Sequence, residues 1–455
     1  MTAEIAVMNK GAIALAADSK VTVTSGGITK TYDTVSKLFT LSKVAPVGVM
    51  IYGNADFMDY PWETIIKLYR RQKGSAVEQT VADWGRDFFK FLDTFGNISE
   101  INKDENVYNI CLSTILEAVI SYEDWAISQG IAHVDPKYEE GLRASLSRRV
   151  ERISQSAPWV AKRRRAAFVK LIAPHLTKAT NEALEGYSDE TKREGLLLAA
   201  GTLVLEVSSP QMSGIVIAGF GEKEYFPTLV EYHTDGYVGH GIKKYIVEPI
   251  MDVSRTFTAC IRSFAQGEMV NRFMDGIDPY YSSYLTGAIP ALVVDNCFDT
   301  LEKYGVKKNN TDAVKAKIRE AVEKAVSGFE SEAQAYRVER FSDPVIRMVS
   351  VLPKDELAHL AESLVALTSL KRRVSSDAET VGGPIDVALI SKGDGFVWIK
   401  RKHYFKEELN PQFVRTYMND LYDGEKHDAD PRRAARSGGA AAARAARKPA
   451  AGRKA

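Results

Sequence analysis

The chain of 455 residues is 45% hydrophobic and 26% charged with a formal net charge of +1, a composition that excludes a collagen-like or wholly disordered polymer and leaves room for two or three structural units. The near-neutral balance hides an asymmetry, because residues 431–455 hold eight Arg or Lys and no acid, leaving about −7 on residues 1–430. Three scattered cysteines (Cys111, Cys260, Cys297) and seven histidines without HExxH or helical pairing argue against a disulfide framework and against a metal site, so no cofactor is expected and a reducing cytoplasm fits.

In chain order, "TAEIAVM" at 2–8 reads as a strand, "NKG" at 9–11 as a tight turn, and "AIALAA" at 12–17 as the returning strand. Glu4 and Lys10 interrupt the N-terminus, which lacks a basic lead-in to an apolar core, so a signal peptide is not expected. If the initiator Met is trimmed, Thr2 becomes a free N-terminal residue anchored in a sheet, where chain ends are normally frayed. "VTVT" at 21–24, "KLFTL" at 37–41 and "VGVMIYG" at 47–53 continue the strand pattern. From 56 the apolar spacing turns helical, with amphipathic helices in "DYPWETIIKLYRRQ" and "VEQTVADWGRDFFKFLDTF". Residues 96–210 stay mostly helical and include "KRRR" at 162–165, read most simply as a solvated helix face; the most apolar run, 195–207, is too short for a bilayer and contains Glu206, so no membrane contact is expected. Strands return with "SGIVIAGF" at 213–220 and "FPTLVEYHTDG" at 226–236. Further on, Thr311 or Asp312 can cap a helix whose Val314, Ile318, Val322 and Val326 form one apolar stripe, read as core. "KDELAHLAESLVALTSLKRR" is another helix, leading into "VGGPIDVALISKGDGFVWI", a Gly-marked turn and two strands. The organisation is therefore an α+β core in three parts (1–95, 211–279, 354–424), two large helical insertions (96–210, 280–353) and a basic Ala/Arg-rich tail at 425–455 that is expected to be disordered.

An N-terminal threonine supplies a hydroxyl nucleophile and, on the same residue, an amine that can serve as its base. Such an α-amine titrates near ~7.7–8.0. A nearby lysine would lower that value by like-charge repulsion, and an aspartate would hold the lysine in place. Asp18 ends the second strand and Lys37 starts "KLFTL", while Gly53 stands where a strand gives way to a helix and lets a carbonyl approach the backbone donors that an oxyanion needs. Taken singly, the same residues read as a turn aspartate, a strand-edge lysine and a helix-leading glycine.

Together, "TAEIAVMNKGAIALAADSKVT", "SKLF", "VGVMIYGNAD" and "SSDAETVGGPIDVALISKGDGFVWI" resemble the proteasome β-subunit family and its bacterial relatives, peptidase rings that partner an unfoldase, all threonine-type N-terminal-nucleophile (Ntn) hydrolases. The resemblance covers about 1–93, 213–268 and 354–400. It implies a four-layer αββα sandwich with two antiparallel sheets, a homo-oligomer and a polypeptide substrate, and it leaves room for an ATP-dependent unfoldase as partner. It also implies catalytic roles for Thr2, Asp18, Lys37 and Gly53. Asp377 and Thr380 match the family's second aspartate and serine with one residue inserted, and Gln266 and Gly267 stand where the family has a serine on a Gly/Ser-rich turn. The period of two in "VGVMIYG" puts Val49 and Ile51 on the face of Gly53; with Val21 and Ala55 these form an apolar pocket suited to cleavage after apolar residues, unless Val49 and Ile51 simply pack between the sheets. Two alternatives stay open: an Ntn amidase or acylase acting on a small amide, and an inactive oligomeric scaffold whose basic tail binds nucleic acid or acidic partners.

Overall fold

Asn9 closes the first hairpin through its side chain, whose Oδ1 accepts from the amides of Gly11 (2.9 Å) and Ala12 (3.3 Å), a turn device typical of Asn. The computed structural model describes residues 3–25, 28–96, 98–303, 311–375, 381–403 and 405–412. Thr2, Asp377, Thr380 and the basic tail lie outside them.

The chain runs β1 (Ala3–Asn9), β2 (Ile13–Ala17), β3 (Val21–Ser25), β4 (Ile28–Tyr32), β5 (Leu38–Thr40), β6 (Val47–Gly53), β7 (Asp56–Phe57) and β8 (Tyr60–Pro61) into α1 (Trp62–Lys73) and α2 (Val81–Asp93). Helices α3 (Glu100–Ser128), α4 (Pro136–Ile153), α5 (Arg165–Ala183) and α6 (Asp189–Val204) follow. Next come β9 (Ser213–Gly219), β10 (Thr228–Val238), β11 (Gly241–Asp252) and β12 (Ala259–Ala265). The remainder is α7 (Glu268–Asp275), α8 (Pro279–Lys303), α9 (Thr311–Arg337), α10 (Asp343–Val349), α11 (Lys354–Val374), β13 (Asp386–Ser391) and β14 (Gly395–Lys400). The fold is α+β. Polar caps mark the helix starts: Thr80 and Asp83 form a reciprocal capping box on α2, and Ser99, Asp135 and Ser188 cap α3, α4 and α6.

Two antiparallel sheets of five strands, β12-β1-β2-β13-β14 and β11-β10-β9-β6-β5, organise the core. The period of two sorts every central strand into two faces. Ala6, Met8, Ile13 and Leu15 of the first sheet meet Met50, Tyr52, Val216 and Ala218 of the second. The opposite face of the first sheet, with Ile5, Val7, Ala14 and Ala16, packs on Leu357, Ala361 and Val365 of α11. That of the second, with Val47, Val49, Ile215 and Ile217, packs on Trp62 and Ile66 of α1 and on Trp84, Phe88 and Phe89 of α2. Strands covered on both sides carry nearly unbroken apolar runs, which is why β1 and β6 were conspicuous in the sequence.

Helices α3 to α6 hold their own apolar clusters around Ile110, Ile115, Leu176 and Leu203 and around Tyr122, Tyr138 and Leu146. Lys243 of β11 ties this block to the second sheet: its fully buried ammonium donates to Asp235 Oδ2 and the Thr202 carbonyl, both at 2.6 Å, and to the Val207 carbonyl. Three sequence expectations change. A short hairpin, β7–β8, precedes the helix expected from 56. Helix α10, placed in the second insertion, instead covers the first sheet, where Asn9 Nδ2 donates to the carbonyls of Val349 and Leu352 at 3.0 Å. Ile318, Val322 and Val326 of α9 are only half-buried, because the stripe packs on α8 and not in a sheet core.

Candidate active site

The carboxylate of Asp18, just past β2, lies beside the start of β1. The Asp18 amide donates to the Ala3 carbonyl (3.1 Å), extending the β1–β2 ladder and fixing the side chain. Its Oδ1 accepts from the Ala3 amide (3.1 Å) and from Lys37 Nζ (2.7 Å); its Oδ2 accepts from the amides of Gly382 (3.0 Å) and Lys20 (3.3 Å). Lys37 arrives from the residue before β5, is 7% exposed, and also donates to the Lys20 carbonyl at 2.7 Å. Such pairing is the condition under which two charges tolerate burial. The lysine ammonium and the amide that joins residue 2 to β1 thus share one carboxylate oxygen.

Lys37 also lines a cleft of about 380 Å³, together with Val21, Ile51, Gly53, Ala55 and Trp62. Val49 does not reach it. That side chain is fully buried on the helix-covered face of β6, against α1 and α2, and only the last residues of the strand reach the opening. Strand parity identified the shared face, but the cover over that face decides which members touch solvent. The charged residues lining the cleft are Lys20, Lys37, Asp56 and Glu63. Burial, helped by Asp59, raises the Asp56 carboxyl above its ordinary value.

Gly53 is required by its backbone. Its φ is +80°, and a Cβ there would sit 2.4 Å from the Met212 carbonyl oxygen. That oxygen accepts from the Asn54 amide (3.0 Å), while Ser213 Oγ receives the Trp62 indole N–H (3.0 Å) and donates to the Asn54 carbonyl (3.1 Å). The end of β6 is therefore clamped to β9 and α1 with the Gly53 backbone exposed. Across the first sheet, Ala265 pairs with Ala3 and adopts φ 60°, a left-handed conformation that costs a non-glycine residue roughly 1–2 kcal/mol. Buried Gln266 follows it.

Sequence reasoning missed a second polar group between the sheets. Glu4 is fully buried, and its carboxyl has no hydrogen-bond partner among the described residues. Burial holds it well above the usual carboxylate range; Lys37 opposes the shift, while Asp18 and Glu231 add to it. Glu231 accepts from the Tyr52 hydroxyl and from the Arg262 guanidinium (3.0 Å). His233 Nε2 lies 2.7 Å from the Tyr52 oxygen, and its Nδ1 lies 2.7 Å from Ser208 Oγ, which in turn meets the Tyr245 hydroxyl at 2.6 Å. Burial pushes Glu231 up, but the hydrogen bonds from His233 and Tyr52 and the charge of Arg262 together hold it below its ordinary value. The readable signals were a lone carboxylate in "AEIAVM" and the polar alternation "EYH" inside an apolar strand.

Among the described residues no three His, Cys, Asp or Glu side chains converge to hold a metal ion, and no helix is long and apolar enough to cross a membrane. No family model matches the chain, and no curated protein matches it.

Proposed function

We propose that the chain is a threonine-type amide hydrolase of the Ntn class, acting on polypeptides, with Thr2 as nucleophile once Met1 is removed. The observation that carries this reading is the buried Asp18–Lys37 pair at 2.7 Å, bonded to the Ala3 amide and opening onto the cleft that Gly53 lines. Two facing antiparallel sheets, each with helices on its outer face, are the arrangement expected of the four-layer Ntn sandwich.

In the proposed reaction the Thr2 hydroxyl adds to the scissile carbonyl while its proton passes to the α-amine. The exposed backbone at Gly53 faces the developing oxyanion. Collapse expels the amine product, which takes the proton, and leaves an ester on Thr2; water, deprotonated by the same α-amine, then releases the acid. Lys37 places a fixed positive charge beside the amine, and Asp18 holds it there. Val21, Ile51 and Ala55 line the cleft in which the residue before the scissile bond would lie, favouring an apolar side chain.

Intact mass and N-terminal sequencing of the purified protein, with hydrolysis of a peptide library, test the reading. The expected result is a chain beginning at Thr2 that cleaves after apolar residues and loses activity in Thr2→Ala while keeping some in Thr2→Ser. A retained Met1, or wild-type rates in Thr2→Ala, overturns it.

A further inference from the structure

A second, larger cavity lies away from the cleft just discussed. It opens where the helical block meets the turn between β10 and β11, has a volume of about 790 Å³, and is walled by Trp159, Val160, Phe168, Leu171 and Val238. The walls are held in place. Trp159 packs edge-to-face on Phe168 with ring centroids 5.6 Å apart, and its indole N–H is committed to the Leu203 carbonyl at 2.7 Å. Arg165 Nε is likewise committed to the Val160 carbonyl at 3.0 Å. On the opposite side Gly239 turns at φ +62°, where a Cβ would approach Leu171 to 3.0 Å. The interior is thus preformed and apolar, and the indole donor of Trp159 in its wall is already engaged.

The mouth has the opposite character. Its titratable lining groups are Arg164, Lys170 and His240, with no acidic residue among them. Lys162 and Arg163 continue the cationic run in the same exposed turn. Neither Arg164 nor Lys170 forms a side-chain hydrogen bond or ion pair among the described residues, in a chain whose first 430 residues carry about −7. By contrast, Lys67 and Arg86 are each paired with a carboxylate one turn away. A concave apolar body with a few convergent charged groups at its edge is the usual form of a small-molecule site.

From this juxtaposition of a preformed apolar cavity and an unpaired cationic mouth, we infer that the cavity binds a long-chain monocarboxylate, its hydrocarbon chain against Trp159, Phe168, Leu171 and Val238 and its carboxylate against Arg164 and Lys170. The inference is independent of the proposed hydrolase chemistry, since it shares no residue with that cleft. Arginine suits the head group because its planar fork matches a carboxylate, and lysine adds a second, mobile charge.

Calorimetric and tryptophan-fluorescence titrations of the full chain with octanoate, decanoate and dodecanoate, below their micellar concentrations, test it. The expected result is one saturable site whose affinity rises roughly fourfold per added methylene, with a fluorescence change that Trp159→Phe removes while calorimetric binding persists. Arg164→Gln with Lys170→Gln, both at exposed positions, should weaken dodecanoate binding about tenfold and bring it level with dodecan-1-ol. Ala167→Trp, which fills the cavity, should abolish binding with the circular dichroism spectrum unchanged. The inference is overturned by an absence of saturable binding, by equal affinities for dodecanoate, dodecan-1-ol and dodecyltrimethylammonium, by unchanged affinity in the double glutamine variant, or by tighter binding of an acetylated apolar tripeptide acid than of dodecanoate.

Discussion

Replacing Asp18 by Asn keeps the shape of the side chain and removes its charge. Among the described residues, Asp18 accepts from Lys37 Nζ and the Ala3 amide on one carboxylate oxygen and from the Gly382 and Lys20 amides on the other. Whichever way the amide is turned, its NH2 group faces two donors, and Lys37, 7% exposed, loses its carboxylate partner Asp18 while keeping its bond to the Lys20 carbonyl. Removing one partner of a buried pair costs about 3–5 kcal/mol, whereas a surface pair is worth about 0–1. At about 2–4 °C per kcal/mol for a cooperative unit of 150–250 residues, the melting temperature should fall by on the order of 10 °C. Urea denaturation followed by circular dichroism reads the free energy, and scanning calorimetry the temperature. Lys37→Met in the Asp18→Asn background removes the buried cation as well, so the double variant should recover at least about half of the loss. A loss below about 1 kcal/mol in Asp18→Asn, or strict additivity in the double variant, would refute the reasoning by showing that the Lys37 ammonium escapes into the water of the cleft.

Three further outcomes are expected. Gly53→Ala forces a side chain into a left-handed backbone and against the Met212 carbonyl, so stability should drop by at least about 1–2 kcal/mol and peptide hydrolysis should vanish; denaturation and a peptide assay read both. Glu4 has its folded pKa raised by burial, so its contribution favours folding below the unfolded carboxylate value and is lost as pH rises toward the folded one. Glu4→Gln should therefore gain on wild type by about 1.4 kcal/mol per pH unit above ~4.3, until the folded pKa is passed, and parallel stability curves in urea at pH 4 to 8 would contradict this. Tyr52→Phe removes the hydroxyl that Glu231 and His233 share, at a cost of about 1–3 kcal/mol, visible as a lower urea midpoint at unchanged slope.

What the sequence disclosed follows from how the strands are covered. Strands β1, β2, β6 and β9 are buried on both faces and announced themselves as apolar runs. Strand β11, "GIKKYIVEPIMD", forms a sheet edge and carries Lys243, Lys244 and Pro249, so no period emerged. The neighbourhood of Asp18, Lys37 and Gly53 was legible because strand ends and turns fix backbone positions. The misplaced Val49 shows the limit, since alternation reveals which residues share a face and says nothing about what lies over it. The Glu231–Tyr52–His233 group joins residues up to 181 apart in the chain, and contacts of that range leave no local pattern to read.

The wall of the cleft is also the wall of the fold. Ile51 and Trp62 line the cleft while belonging to the apolar cluster that holds α1 and α2 on the second sheet, and the Trp62 indole anchors the end of β6 through Ser213. A mutation there cannot reshape the opening without also loosening a sheet from its helices. Val21, Thr22, Thr34 and Ser36 are under no such constraint, because they line the same cleft from β3 and from the segment leading to β5 and stand outside every apolar cluster. Divergence in what the cleft accepts should therefore accumulate on that rim, and a directed-evolution library confined to those four positions should retain folded members at a far higher rate than one drawn from Ile51 and Trp62.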